Sequence, residues 1–128
     1  MTNYWEPQFI KHLETENIKY VCEVGARYGD ESIYLSNVFK NAKILSFECN
    51  PNTVNKCIEK LKSHNNIKFF NIGLGENEYT MPFYSYIIDS NDGASSFHKR
   101  IDFENTQKLT GYINIKTLKT IVNDENIP

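Results

Sequence analysis

Apolar positions in the first half of the chain switch repeatedly between helical and strand spacing. After Pro7, the segment QFIKHLETEN sets Phe9, Ile10 and Leu13 on one helical face. The short β-rich run IKYVCEV follows and reads as a buried strand. A turn over residues 25–29 leads to Asp30, the expected cap of a helix with Ile33, Val38 and Phe39 facing inward. AKILSFE then reads as a second strand. Asn50 and Pro51 fit an N-cap followed by proline at the first helical position, and Val54, Ile58 and Leu61 recur at helical spacing beyond them. IKFFNIGL reads as a third strand. Helix and strand thus alternate three times, which predicts an α/β fold on a parallel sheet with helical crossovers.

The second half is less regular. YTMPFYSYII is aromatic and β-prone, and Pro82 assigns it to an edge or a bulge. DSNDGASSFHKR has loop composition, and DFENTQKL fits a short helix capped by Asp102. YINIKTL alternates as a strand does, and TLKTIVNDEN fits a last helix. No repeat, biased tract or linker divides the 128 residues, so one domain over residues 1–128 is expected.

Composition narrows the function classes. A net charge of -2 with dispersed lysines gives no support to a nucleic acid or an anionic membrane surface as partner. No run approaches the roughly 20 apolar residues of a membrane span. The start, MTNYWEPQFIKHLE, lacks the basic and apolar regions of a secretory signal, so a cytoplasmic location is expected. Cys22, Cys49 and Cys57 form no CxxC pair and are odd in number, which predicts three reduced thiols packed as small hydrophobes. His12, His64 and His98 have no acid or cysteine partners at metal-ligand spacing, so no metal is expected. Ser95 and Ser96 lack a Gly-x-Ser-x-Gly elbow and are not hydrolase nucleophiles; they fit an acceptor pocket, a closing loop or a polar turn.

The chemistry concentrates where the first two strands end. Glu23 closes an apolar run immediately before Gly25 and Gly29. A carboxylate there must find hydrogen bonds, and glycine admits a ligand to the backbone beside the next helix's N-terminus. A dinucleotide fingerprint, as in a nicotinamide-dependent oxidoreductase, would need glycine where Arg27 stands, which argues against a diphosphate. Glu23 suits a cationic amine instead. Glu48 ends the second strand, where an acid can accept from two ribose hydroxyls. An amino-acid-like end and a ribose occur together in S-adenosylmethionine. The plain alternative, two solvated strand-end acids with ordinary turn glycines, fits each residue singly better than it fits the set.

These residues resemble class I S-adenosylmethionine-dependent methyltransferases, and within them the FkbM family. Glu23-Val24-Gly25-Ala26-Arg27-Tyr28-Gly29-Asp30 is similar to the family's first motif, acid-x-Gly-Ala-x-x-Gly-Asp. Ser46-Phe47-Glu48-Cys49-Asn50-Pro51 resembles its Phe-Glu-Pro-Asn-Pro segment, with Cys49 in place of a proline. Asn71 to Glu76 resembles the third-strand end, Gly93-Ala94-Ser95-Ser96 a later loop, and Ile115 to Leu118 a Val-x-Thr-Leu segment. The resemblance implies that Glu23 bonds the ligand's amine, that Gly25, Ala26 and Gly29 admit that end, and that Glu48 takes the ribose. It further implies that Gly73 and Leu74 flank the adenine, and it sets Asp30 and Cys49 beside the ligand. Ser95 and Ser96 fall toward the acceptor, and O-methylation of a hydroxyl on a sugar or small metabolite is the implied reaction.

One departure matters. The family pattern continues after Thr-Leu with a further strand, and this sequence ends at Pro128. The expectation is the N-terminal portion of a Rossmann-like sheet, three parallel strands and then edge strands, with the first strand left as an exposed apolar edge. That edge would pair with another copy or a partner chain. A gene fragment, a split enzyme or a degenerate, non-catalytic interaction domain each fit, the first best.

Overall fold

The computed structural model describes residues 7–86 and 107–128 of the chain. Strands β1 (Tyr20–Val24), β2 (Lys43–Phe47) and β3 (Ile67–Phe70) pair in parallel in the order β1-β2-β3. Helix α1 (Pro7–Thr15) precedes β1, α2 (Asp30–Val38) joins β1 to β2, and α3 (Val54–Leu61) joins β2 to β3. The alternation of apolar periods therefore reports the architecture correctly.

Register determines which side chains share a face. Val21 lies opposite Ile44, and Glu23 opposite Ser46. On this face Ile44 packs with Leu35, Phe39 and Ala42, with Leu13, Ile18 and Val21 at the margin. Farther along, Cys57 and Leu61 of α3 close over Ala26 and Phe69. Lys43, Leu45 and Phe47 point to the opposite face, where α4 (Leu118–Asp124) lays Ile121 on Leu45 and Phe47. Phe47 and Phe70 stack there at 4.9 Å. Burial of Ile44, Leu45 and Phe47 is essentially complete, each contributing on the order of 1.5–3 kcal/mol.

Cover is uneven across the sheet. Tyr20, Cys22 and Val24 share the α4 face, but the core beneath α4 draws on β2 and β3. As a result Val24 is 65% exposed, and β1 alternates between exposed and half-buried positions. The expectation of a buried first strand is corrected; that of an exposed apolar edge matches. Cys22 is likewise exposed rather than packed, whereas Cys57 is buried and none of the three thiols is paired.

A second sheet follows, with strands β4 (Gly73–Leu74), β5 (Tyr79–Tyr86) and β6 (Gln107–Lys116) in the order β4-β6-β5. β4 runs parallel to β6 and β5 antiparallel. The expected single strand IKFFNIGL is split: β3 stops at Phe70, and Gly73 and Leu74 pair in the other sheet. Pro82 sits on the edge strand β5, next to an irregularity at Phe83/Tyr84, as its missing N–H requires. Gln107 to Leu109 belong to β6 rather than to a helix, while residues 101–106, including Asp102, lie outside the described residues.

Helix boundaries shift for local reasons. Gly29, not Asp30, is the N-cap of α2, with φ +94°. α3 starts at Val54 instead of Pro51, because Asn50 first makes a turn, accepting from Asn52 N–H through its side chain at 2.9 Å and from Thr53 through its carbonyl at 3.1 Å. Its buried face is then Thr53, Cys57 and Leu61, leaving Ile58 exposed. Phe9 is also exposed, against the helical-face reading of α1. Thr117 caps α4 through Thr120 N–H at 3.1 Å. No helix among the described residues is long and apolar enough to cross a membrane.

Glu125 fastens α4 to the sheet, bonding Lys43 Nζ at 2.9 Å and Lys68 Nζ at 2.7 Å. These two lysines hold its carboxyl below the usual range. A lowered folded value means stability that is present above the ordinary glutamate pKa, about 4.3, and lost as pH falls through the folded value. Glu125→Gln should therefore lower the melting temperature at pH 7, with the gap to the parent closing below about pH 4 in thermal melts.

Candidate functional site

β1 and β2 end level, Val24 opposite Phe47. Gly25 and Ala26 both donate to the Phe47 carbonyl at 2.9 Å, folding residues 25–29 across the end of β2. Three residues of this turn have positive φ: Gly25 at 87°, Arg27 at 54° and Gly29 at 94°. Arg27 stands where a dinucleotide loop has glycine, yet it adopts the left-handed conformation regardless. That geometry costs an L-residue roughly 1–2 kcal/mol.

The two glycines serve different ends. A Cβ on Gly29 would stand 2.8 Å from Leu61 Cδ2, so its bare backbone is what lets α2 begin against α3. A Cβ on Gly25 would meet nothing within 4 Å. Gly25 thus borders open space, as an approach to a ligand requires, and Gly29 belongs to packing. Ala26 is fully buried in the α3 cluster.

Glu48 is 8% exposed and holds the turn from beneath. Its Oε1 accepts from Arg27 N–H at 2.5 Å and its Oε2 from Asn50 N–H at 2.8 Å. A carboxylate offers about four acceptor sites, so two remain. Glu23 is half-buried. Its Oε2 accepts from Ser32 Oγ, which in turn accepts from Ser46 Oγ at 2.8 Å. Its Oε1 has no hydrogen-bond partner among the described residues. Burial above all pushes the Glu23 carboxyl up, and the charges of Glu31 and Glu48 add to this against the Ser32 bond. A cation arriving at Glu23 would relieve both pressures.

Glu23, Gly25, Arg27 and Glu31 line one groove of about 440 Å³ along β1, floored by Val21, Cys22, Val24 and Leu35. Its volume falls in the range of small-molecule clefts, roughly 300–1,000 Å³. Glu48 lies near enough to act on Glu23 through its charge but is not in the groove's lining.

The other expected residues are placed as follows. Asp30 opens α2 and pairs with Lys60 of α3, so it is neither cap nor groove wall. Cys49 packs toward Phe83, Ile113 and Ile115, and burial with the Glu48 charge pushes its thiol to about 12. It is therefore protonated at neutral pH. Gly73 is buried, and Leu74 packs on the Leu45–Phe47–Ile121 cluster, leaving mainly backbone to face a ligand. Ser95 and Ser96 lie outside the described residues. Sequence reading gave no role to Ser32 or Ser46 and took Arg27 only as a departure from a dinucleotide fingerprint. The serines had a signal: a hydroxyl between Leu45 and Phe47 in a buried strand needs a partner.

No protein-family model and no curated protein matches the sequence. Among solved structures, the chain is similar to methyltransferase FkbM from Methylobacillus flagellatus KT, at 13% identity and a TM-score of 0.48 over 82% of this chain and 23% of that one. It is also similar to the 23S rRNA methyltransferase ErmE, at 18% identity and a TM-score of 0.36 over 57% of this chain and 37% of that one. The chain thus spans under a quarter of the first and well under half of the second. Neither likeness assigns chemistry to a residue of this chain.

Two outcomes follow for the turn. A folded-state value raised above the unfolded one means that Glu23 contributes most at low pH, and that contribution is lost as pH rises through the raised value. Glu23→Gln should therefore raise the melting temperature at pH 7, with the difference shrinking near pH 4. Gly29→Ala should destabilise more than Gly25→Ala in urea unfolding, because it adds the Leu61 clash to the same positive-φ strain, by about 1–3 kcal/mol.

Proposed function

We propose that this chain is the S-adenosylmethionine-binding portion of a methyltransferase acting in the cytoplasm on a hydroxyl of a sugar or small metabolite. The observation that carries this reading is the join between the strand ends. Among the described residues Glu23 keeps one carboxylate oxygen unclaimed near Gly25, and Glu48 grips the same turn by Arg27 N–H at 2.5 Å.

The residues present fit the ligand. Glu23 Oε1 accepts from the α-ammonium; burial is the main reason that carboxyl is pushed up, and the charges of Glu31 and Glu48, which add to it, also favour a cation there. Gly25 leaves the backbone bare where the amino-acid end enters. Glu48 has acceptor capacity left for ribose hydroxyls. When bound, S-adenosylmethionine supplies a methyl group already activated by a sulfonium. The chain's part is then to orient that ligand and to exclude water from the reacting end. The open edge of β1, with Val24 exposed, suits a strand from another copy or a partner chain that would wall the groove.

A non-catalytic interaction domain is the second reading. It draws on Glu48, whose two oxygens already serve backbone amides, and on Cys49 and Leu74, whose side chains are packed. Calorimetric titration with S-adenosylhomocysteine separates the two. The ligand reading expects saturable binding weakened about tenfold to a hundredfold by Glu23→Ala, the loss of one charge-assisted hydrogen bond. A folded chain that takes up neither S-adenosylmethionine nor S-adenosylhomocysteine would overturn the ligand reading and favour the interaction domain.

A further inference from the structure

Arg27 is the one cation lining the groove among the described residues, against the two acids Glu23 and Glu31. Opposite charges sharing a cleft usually pair, yet Arg27 makes no ion pair with any carboxylate among the described residues. Its guanidinium instead lies 5.1 Å from the centroid of the Tyr28 ring, which Lys56 also approaches at 5.4 Å. A guanidinium resting on a ring keeps its in-plane N–H donors open. The residue is exposed, so those donors face solvent at the groove's margin.

Its backbone, by contrast, is firmly held. Glu48 accepts the Arg27 N–H at 2.5 Å, and that bond helps sustain a φ of +54° that glycine would adopt without strain. Unfavourable backbone geometry of this kind persists where the surroundings enforce it, and it aims a side chain. With glycine here the turn would be relaxed and the groove lined only by acids. Such a groove would attract an ammonium and repel a carboxylate on the same carbon.

We propose that Arg27 binds the carboxylate of the ligand's α-amino-acid end, so that Glu23 and Arg27 together read a zwitterion. This rests on the S-adenosylmethionine reading and makes Arg27 a specificity-determining residue within it. A planar guanidinium grips a carboxylate through two parallel N–H bonds, which a lysine cannot reproduce.

The test is calorimetric titration of the full chain with two probes, S-adenosylhomocysteine and its decarboxylated analogue, which keeps the amine and the nucleoside. The parent should prefer the carboxylate-bearing probe by tenfold or more. Arg27→Met, which keeps the stem without charge, should erase that preference while leaving affinity for the decarboxylated probe within about twofold. Arg27→Lys, included in case the Met variant folds poorly, should retain an intermediate preference. Equal binding of both probes by the parent overturns the role of Arg27 and leaves cofactor binding intact. A preference that survives in Arg27→Met overturns it too. Binding of neither probe by the folded parent overturns the cofactor reading and this inference with it.

Discussion

A single buried carboxylate holds the candidate site together. Glu48 stands just past β2 and accepts one backbone N–H from the turn after β1 and another from the turn before α3. Two loops that are distant in sequence are thereby tied to one strand end. Stranding those amides in a part-buried place would cost about 1–3 kcal/mol each, so the turn's conformation depends on this side chain. Glu48 sustains the positive φ of Arg27, while the Phe47 carbonyl, accepting from Gly25 and Ala26, fixes the start of the same turn.

The neighbouring acid is held differently. Among the described residues Glu23 receives one hydroxyl bond, from Ser32, which Ser46 backs in turn, and it has no cationic partner in its half-buried setting. One carboxylate is thus satisfied by fixed amides and the other is left wanting a cation. That division separates the two acids by their hydrogen-bond partners more sharply than exposure alone would. The half-buried Cys49 and the buried Cys57 fall outside this chemistry, because desolvation and the carboxylate charges keep both thiols protonated.

The second sheet and α4 complete the frame without entering the groove. Phe83, Ile113 and Ile115 form their own cluster, and α4 covers β2 and β3 through Ile121 and Glu125. Leaving β1 bare on that side keeps its edge and the groove on the same margin of the molecule. A strand docked there would border Glu23 and Gly25 directly.

Alternating periods of apolar residues were enough to specify the helices and strands up to β3, because each period reflects local geometry that tertiary contacts reinforce. The acids at the strand ends were legible for the same reason, since a carboxylate closing an apolar run marks where the sheet meets solvent. The helix faces were read less well. Along α2, Phe39 is buried and Ile33 and Val38 pack against the core as counted, but Ser32 and Ser36 are buried as well, on bonds to Glu23 and Asn66 from other segments that apolar counting does not register. Likewise, Gly25 and Gly29 look alike in sequence, and only Leu61, arriving from α3, makes one of them a packing residue. Arg27 at a positive φ contradicts local preference outright, and the hydrogen bond that its backbone N–H donates to Glu48, beyond β2, sustains it. Sequence by itself determined the alternation of elements up to β3 and the acids at the strand ends, since both depend on neighbours along the chain. Tertiary structure alone decided which acid is spent on the backbone and which faces the groove, because that choice depends on partners that only folding brings within hydrogen-bond reach.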